Sequence, residues 1–310
     1  MDVRHLELLR ELAERGSVTA VAAATHRTPS AVSQQLKQAQ REFGVPLVQP
    51  DGRGLRLTEA GLLLAAGGTR VSTTVAEVRA TWDAFRGEPS GTVRLAAPPS
   101  VATFLFAETM QALGEGAIEL VCSDVDIAEA AFAGLTVDND IVIGYSLTGP
   151  RPAGTDGLTV VPIAHEPLDV VMAADHPLAQ RSTVTAVEVA GEDWVGVPEG
   201  FPFDTVLHGV EQVAGVTPRV VQRLRDNRLI ESLVAANRTL AILPRFTTPS
   251  AASGPAGGVC LRELVDVPAI RHISAILRPD RAERLAVRHV LDALVDVGRR
   301  VERRHAVVVG

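Results

Sequence analysis

Residues 16–37 read GSVTAVAAATHRTPSAVSQQLK, and this stretch decides the first part of the fold. Ser17 is a favoured N-cap residue, and the alanine-rich run Val18–His26 predicts a helix that another helix can approach closely. Thr28 and Pro29 form a second helix start, because the fixed φ of proline suits the first helical position. The stretch therefore predicts two helices joined by a tight turn, the second running from Ser30 to Phe43.

The flanking residues extend this unit in both directions. Before it, Leu6, Leu9 and Leu12 recur at helical spacing after Asp2 and predict a helix that ends at Gly16. After it, Gly44 and Pro46 end the second helix of the turn. The stretch Asp51-Gly52-Arg53-Gly54 then lies between two short apolar runs, Val45–Val48 and Leu55–Leu57, and predicts a small hairpin.

One face of the helix Ser30–Phe43 is polar and has the residue types that read DNA bases. A helix in the major groove needs small or polar side chains there, and glutamine suits an adenine edge. The formal net charge of the chain is −7, but residues 27–57 are locally basic, as phosphate binding requires. A solvated helix face is the commoner explanation of such polarity, but the preceding helix, the tight turn and the hairpin favour DNA. The expected DNA contacts are Thr28, Ser30, Ser33, Gln34, Lys37, Arg41, Arg53 and Arg56.

A long helix is predicted from Thr58 to about Phe85, with a domain boundary at residues 87–91. Gly67 and Gly68 lie inside it and predict a local distortion, since each glycine costs about 1 kcal/mol relative to alanine. We expect this helix to pair with its copy in a second protomer. The apolar residues of that seam are Leu62, Leu63, Ala66, Val71, Val75, Val78 and Trp82. The alternative for some of them is packing on the DNA-binding domain of the same protomer.

Beyond residue 91 short β-rich runs alternate with helical patterns, which predicts an α/β domain with largely parallel sheets. The expected strands are Thr92–Ala96, Ile118–Cys122, Ile141–Gly144, Asp169–Ala173, Asp193–Gly196, Ala241–Leu243 and His272–Leu277. The expected helices are Val101–Leu113, Ile127–Ala133, Phe203–Ala214, Arg228–Ala236 and Ala282–Val297, and residues 305–310 are expected to fray.

Residues 16–37 strongly resemble the helix-turn-helix of LysR-type transcriptional regulators. The likeness continues through Glu42–Leu47 and Arg53–Gly61, and later through Asp175-His176-Pro177-Leu178-Ala179 and Leu240–Pro244. Two pairs depart from the family pattern. Ala39-Gln40 stands where a Leu-Glu pair is usual, and Gln49-Pro50 stands where Glu-Arg is common. The second departure removes a basic phosphate contact from the hairpin.

The resemblance implies an α/β protein with an N-terminal winged helix-turn-helix, a linker helix and a two-subdomain α/β domain similar to periplasmic binding proteins. The expected bounds are residues 1–58 for DNA binding, 59–90 for the linker and dimerisation helix, and 91–300 for effector binding. Within the last, subdomain I would combine about 91–161 with 271–300, and subdomain II would hold about 162–270. The implied partners are double-stranded operator DNA, a small-molecule effector and further copies of the chain, as a dimer or homotetramer.

Ligands in such folds lie at the carboxyl ends of strands and at helix N-termini, which points to Ser100. An ordinary N-cap is the equally favoured alternative role of Ser100. Gly200 and Phe201 match family positions that line the cleft. Arg223, Arg225 and Arg228 are candidates to neutralise a carboxylate, although each taken singly is more often a surface charge. The expected effector contacts are Ser100, Val101, Tyr145, Gly200, Phe201 and Arg225.

The sequence argues against other classes of protein. Apolar runs fall short of the roughly 18 residues of a membrane span, and the charged start Met1–His5 does not resemble a signal peptide. We therefore expect a cytoplasmic protein without a membrane partner. The eight histidines form no His-x-His or His-Glu-x-x-His pair, and nucleophile elbows and phosphate-binding glycine loops are lacking. We expect neither catalysis nor a metal or cofactor.

Two alternatives within regulation stay open at this stage. Cys122 and Cys260 would serve a redox-responsive regulator, but cysteines are commonly buried and inert, and these two are expected in different subdomains. The other alternative is a ligand-independent regulator whose cleft is closed by its own side chains.

Overall fold

The computed structural model describes residues 1–52, 54–86, 89–248 and 258–306. Three helices form the N-terminal unit, and short side chains cap each start. Asp2 accepts the N–H of Arg4 at 2.9 Å and Ser17 that of Ala20 at 3.1 Å. The Arg4 side chain, which also bonds Asp2, lowers the pKa of that carboxyl to about 2. The helices are α1 (Val3–Arg15), α2 (Val18–Ala24) and α3 (Pro29–Phe43).

The turn between α2 and α3 begins earlier in the chain than predicted. Helix α2 stops at Ala24, two residues before the expected end, because His26 takes a left-handed φ of 53°. The Arg27 N–H then bonds the Ala22 carbonyl at 2.9 Å and closes the turn. Leu9, Val32 and Leu47 are fully buried between these elements and form the centre of their core.

The hairpin and the long helix follow as expected. Strands β1 (Val48–Asp51) and β2 (Gly54–Leu57) pair antiparallel, and helix α4 runs from Glu59 to Arg86. Gly67 and Gly68 do not break the helix, since α4 continues through both residues. No helix within the described ranges is long and apolar enough to cross a membrane.

The remaining part is a mixed α/β domain. Its strands are β3 (Gly91–Ala97), β4 (Ile118–Asp124), β5 (Ile141–Ser146), β6 (Thr159–Ala173), β7 (Thr183–Val184), β8 (Asp193–Gly196), β9 (Arg219–Arg223), β10 (Ala241–Pro244), β11 (Val259–Leu264) and β12 (Ile270–Leu277). Its helices are α5 (Pro99–Leu113), α6 (Phe132–Leu135), α7 (Ala186–Val189), α8 (Asp204–Ala214), α9 (Asn227–Asn237), α10 (Pro279–Ala282) and α11 (Leu285–Ala306).

The sheet is less parallel than predicted. Its strand order is β4-β3-β5-β12-β6-β11-β7, with β10 also on β6, while β8 and β9 form a separate parallel pair. Strand β3 runs parallel to β4 and β5, but β12 and β6 run antiparallel to each other and to the strands beside them. These two strands cross between the halves of the domain, and such crossing strands return in opposite directions. The sequence showed their apolar runs but not their direction.

Other differences concern short elements. The expected helix Ile127–Ala133 is a 3₁₀ turn at Glu129–Ala131 followed by α6, and neither has a side-chain N-cap. Helix α11 begins at Leu285 and extends to Ala306. His305 is therefore helical, and the fraying expected for residues 307–310 lies outside the described residues.

Strand β6 places the effector-domain cleft, because it changes partners along its length. Residues Thr159–Pro167 pair with β12, and Leu168–Ala173 pair with β10 and β11. One half of the domain, with α5 and β5, is therefore attached to the start of β6. The other half, with β8, α8 and α9, is attached to its end. The cleft opens between the two halves beside this exchange of partners.

Candidate DNA interface and effector cleft

Helix α3 is held so that one face points away from the core. The Thr28 hydroxyl accepts the N–H of Ala31 at 3.2 Å, and Gly44 ends the helix with a left-handed φ of 71°. Val32, Leu36 and Ala39 are buried against α1 and α2. Ser30, Gln34, Lys37, Arg41 and Thr28 are exposed, and Ser33 is half-buried beside them. The exposed side chains are polar or basic.

Two glutamines of α3 have structural roles that sequence reasoning missed. Gln35 donates to the Arg4 carbonyl at 2.8 Å and accepts from Arg27 at 2.6 Å, which ties α3 to α1. Gln40 accepts the N–H groups of Leu47 and Val48 at 3.0 and 3.4 Å. Gln40 departs from the family pair but still supplies a hydrogen-bond acceptor to the segment that leads into β1.

In the hairpin, Arg56 lies across the strand pair from Gln49. The Gln49 amide oxygen, assigned from the hydrogen bonding, accepts from the Arg56 guanidinium at 2.5 to 3.0 Å. Gln49, which belongs to the second pair that departs from the family pattern, thus holds the exposed Arg56 within the hairpin. Arg53 lies outside the described residues.

The effector-domain cleft encloses a cavity of about 280 Å³ between the two halves of the domain. Of the six residues expected there, the structure places Ser100, Tyr145, Phe201 and Arg225 on the wall. Val101 is fully buried behind the wall, and its N–H bonds the Pro98 carbonyl at 2.9 Å. Gly200 is exposed with a φ of 81° and is not part of the lining. The other lining residues are Pro98, Pro99, Thr103, Asp126, Val197, Phe203, Asp226, Asn227, Arg228, Glu231 and Thr247.

Ser100 is not the N-cap of α5, so that alternative is wrong. Pro98 occupies the cap position and Ser100 is the second residue of the helix. Its Oγ accepts instead from Nη1 of Arg271, at 3.0 Å. The serine hydroxyl is therefore joined to the crossing strand β12 and not to its own helix start.

Arg271 and its partner Glu166 were not among the expected site residues. They lie opposite each other on β12 and β6, and both side chains have 0% exposure. Nε of Arg271 donates to Glu166 Oε2 at 2.6 Å, and the Phe246 N–H donates to Oε1 at 2.6 Å. Burial raises the pKa of Glu166, while the charge of Arg271 opposes this shift. The signal in the sequence was a single arginine in the apolar run of β12, but its partner is 105 residues away.

The other arginines near the cleft differ in whether their guanidinium groups already bond protein carboxylates. Arg223 donates to Asp204 and to the Val197 carbonyl, both at 2.7 Å, and Arg228 bonds Glu231 at 3.0 Å. Arg225 is exposed and its guanidinium lies 4.8 Å from the ring centre of Phe201. Among these three, Arg225 is the one whose charge lies over the aromatic wall.

Family models cover nearly the whole chain. Residues 3–62 match the bacterial regulatory helix-turn-helix of the lysR family, and residues 86–299 match the LysR substrate binding domain. The chain belongs to the LysR family. It is a LysR-type DNA-binding transcription regulator with an effector-binding domain, and the expected fold class and family are thereby confirmed.

Individual relatives of this LysR-type regulator are distant. The transcriptional dual regulator GltC of Bacillus subtilis is 25% identical over 91% of this chain and 92% of its own. A hydrogen peroxide-inducible genes activator of Pectobacterium carotovorum is 25% identical over 90% and 91%. Among solved structures, a full-length OxyR variant from Pseudomonas aeruginosa superposes with a TM-score of 0.68 at 19% identity, covering 96% and 95% of the two chains. ArgP from Mycobacterium tuberculosis gives 0.63 at 18%, covering 96% and 97%.

Proposed function

We propose that α3 of this regulator enters the major groove of double-stranded operator DNA. The observation that carries the proposal is its exposed polar face, since Gln34 is free to reach base edges while Gln35 is engaged with α1. Ser30 and Ser33 flank Gln34, and Lys37 and Arg41 would neutralise phosphates. Thr28, Arg53 and Arg56 complete the proposed contact set.

The test is a mobility shift with the DNA upstream of the gene, at stated salt and with competitor DNA. Gln34→Ala is expected to lower the preference for the specific site by about 1 to 3 kcal/mol, the value of one good base contact. Gln111→Ala, an exposed glutamine on α5, is the matched control and should bind as the wild type does. Equal loss of specific and nonspecific binding in Gln34→Ala would contradict base reading. If the upstream DNA is not bound, selection of sites from the whole genome replaces it.

We further propose that two copies pair through α4 and hold two recognition helices at one spacing. Several apolar side chains of α4 are exposed in the single chain, with Leu63 at 73%, Val78 at 66% and Trp82 at 58%. The proposed division is residues 1–58, 59–90 and 91–300, with a dimer or homotetramer acting in the cytoplasm and without catalysis. Sedimentation should give more than one copy per particle, and Leu63→Glu should shift it toward the monomer.

The effector is proposed to be a small molecule bound in the cleft and closing its halves together. Two helix N-termini, of α5 and α9, border the cavity, and Phe201 and Tyr145 supply apolar wall. A ligand at 100 times its Kd should stabilise the protein by about 2.7 kcal/mol. A ligand screen by thermal shift tests this, and Phe201→Ala should weaken any stabilisation found.

A redox-responsive regulator is the second candidate, because several relatives are named as hydrogen peroxide-inducible activators. Burial raises the pKa of both Cys122 and Cys260, which lowers the fraction of reactive thiolate at neutral pH. We predict slow alkylation of both thiols at pH 7 that accelerates as the pH rises above the usual thiol pKa. Mass spectrometry of iodoacetamide-treated protein measures it. Fast alkylation at pH 7, or DNA binding that changes with peroxide in the wild type but not in Cys122→Ser/Cys260→Ser, would favour the redox candidate.

A further inference from the structure

Behind the wall of the effector cleft lies a chain of three side chains, Glu166, Arg271 and Ser100, of which Ser100 lines the cavity while the other two are fully buried. Glu166 holds the Nε edge of the Arg271 guanidinium, and the Nη1 edge points to Ser100. Nη2 lies 2.5 Å from the same Glu166 oxygen but makes no hydrogen bond of normal geometry within the described residues. The positive end of a buried ion pair therefore lies against Ser100, a residue of the cavity wall.

The direction of the bond to Ser100 is fixed by chemistry. A guanidinium has donors only, so Ser100 Oγ must be the acceptor. Within the part of the chain that the structure describes, Ser100 Oγ makes one hydrogen bond, the one it accepts from Arg271. The hydroxyl proton is thus left to donate elsewhere, and accepting from a cation polarises it into a stronger donor. An ammonium approaching the same oxygen would meet the positive edge of Arg271 behind it.

Arg271 is held so that it cannot turn from this role. Its guanidinium carbon lies 5.1 Å from the ring centre of Tyr145 and 5.7 Å from that of Phe203. Its partner Glu166 is fixed in turn by the Phe246 N–H. The aromatic rings and the carboxylate fix the guanidinium plane between the two crossing strands and α5.

We infer that Arg271 is a positioning residue that sets the specificity of the cleft, by orienting Ser100 to donate to a carboxylate of the effector and to reject an ammonium of the same size. This rests on the proposed effector site. Three acidic residues also line the cavity, but Asp226 caps α9 through the Leu229 N–H and Glu231 bonds Arg228. Asp126 is exposed and lies in the half of the domain that carries Ser100. Arg225, on the opposite wall, adds a second cation.

The test uses acids and ammonium compounds of matched carbon skeleton. Acetate, butyrate and benzoate are compared with ethylammonium, butylammonium and benzylammonium by thermal shift and calorimetry at constant ionic strength. At least one acid is expected to bind with a Kd at least tenfold lower than its ammonium counterpart. Ser100→Ala should abolish that binding, and Ser100→Thr, which keeps the hydroxyl, should restore it.

The role of Arg271 itself is tested with Glu166→Gln/Arg271→Gln, which removes both buried charges together and avoids an unpaired one. A glutamine carbonyl can accept from Ser100, so the tenfold preference for the acid should shrink to near unity. Asp169→Asn/Arg245→Gln is the matched control, because that ion pair, at 2.6 Å, also joins β6 to a neighbouring segment, the end of β10, but makes no hydrogen bond to Ser100 within the described residues. It should keep the preference, as a general loss of stability would not change the ratio.

Three results would overturn the inference. If an ammonium compound binds more tightly than its acid, and Phe201→Ala abolishes that binding, the cleft is still the effector site but its proposed preference for a carboxylate is wrong. Binding of the acids with an unchanged preference in the Glu166→Gln/Arg271→Gln variant would remove Arg271 from the role. Failure of all the acids to bind would reject the inference together with the carboxylate class, while the mobility shift would still report separately on DNA binding.

Discussion

Gln40 shows how a single residue that departs from the family pattern keeps its structural function. Its side-chain oxygen accepts the N–H groups of Leu47 and Val48, two residues that have left α3 and have not yet paired in β1. Leu47 is fully buried, so its N–H has no access to water. A glutamate would offer the same acceptor, and residue 40 needs an oxygen more than it needs a charge.

We therefore predict that Gln40→Ala lowers the free energy of unfolding by about 1 to 3 kcal/mol, the cost of an unsatisfied buried donor. Gln40→Glu should stay close to the wild type because it keeps the acceptor. Urea denaturation followed by circular dichroism measures both variants. Gln38→Ala on the exposed face of α3 is the control, and equal losses in Gln38→Ala and Gln40→Ala would reject the explanation.

At the scale of residues, the sequence predicted the side chains that line the cavity better than the buried side chains that hold them in place. Ser100, Tyr145, Phe201 and Arg225 line the cavity as the resemblance suggested, because strand ends and helix starts are local features. Val101 was expected there too, but the residue after Ser100 points inward on the helix and is buried. Arg271 and Glu166 were missed because their meeting depends on the register of two distant strands. The sequence around either residue does not show which residue of a distant strand lies opposite it.

At the scale of elements, α4 lies against the DNA-binding unit through its glycines. A Cβ on Gly68 would lie 2.5 Å from the Leu6 carbonyl oxygen, and one on Gly61 would lie 2.2 Å from the Leu47 carbonyl oxygen. The distorting role that we predicted for the glycine pair came from helix propensity, which considers a helix alone. The close approach of α1, a tertiary contact, is what requires glycine at residue 68.

The neighbouring glycine provides the control for the next prediction. Gly68→Ala should separate α1 from α4 and lower the Tm by several degrees, since the Leu6 carbonyl oxygen belongs to the backbone and cannot move without shifting α1. A Cβ on Gly67 would meet nothing within 4 Å, so Gly67→Ala should raise helix stability by about 0.5 to 1 kcal/mol. Calorimetry of the two variants gives opposite signs if contact with α1 is the cause, and the same sign if it is not.

Strands were predictable where they form clear apolar or alternating runs and less so where they are short or mostly polar. All residues of β5 and β10 are buried, and both were expected from their apolar runs. Strand β9 is mostly exposed and β7 has two residues, so neither gives a clear apolar signal. The order of the strands depends on the crossing of β6 and β12, which composition does not encode.

At the scale of the whole molecule, the DNA-binding unit rests on the effector-binding domain of the same chain through buried charges. Arg278 lies 2.5 Å from Glu14 on α1 and 3.3 Å from Asp280, while Arg10 on α1 lies 2.9 Å from Asp280. Arg10 and Arg278 are 7% and 5% exposed. Such pairs are not screened as surface pairs are, and removing one partner leaves a buried charge unmatched.

This contact makes the position of α1 depend on the effector-binding domain, and one variant tests that dependence. Arg278→Gln leaves Glu14 without its nearest cation, so we expect α1 to open locally and exchange its amide hydrogens at least several-fold faster. Glu14→Gln/Arg278→Gln removes both charges and should recover most of the protection, because no charge is then left buried alone. Hydrogen exchange with mass spectrometry resolves residues 3–15. Arg288→Gln, which removes the half-exposed pair with Glu283, should leave α1 unchanged. Faster exchange throughout the chain in Arg278→Gln would indicate global destabilisation instead, and unchanged exchange in α1 would mean that the ion pair between Arg278 and Glu14 does not hold α1 in place.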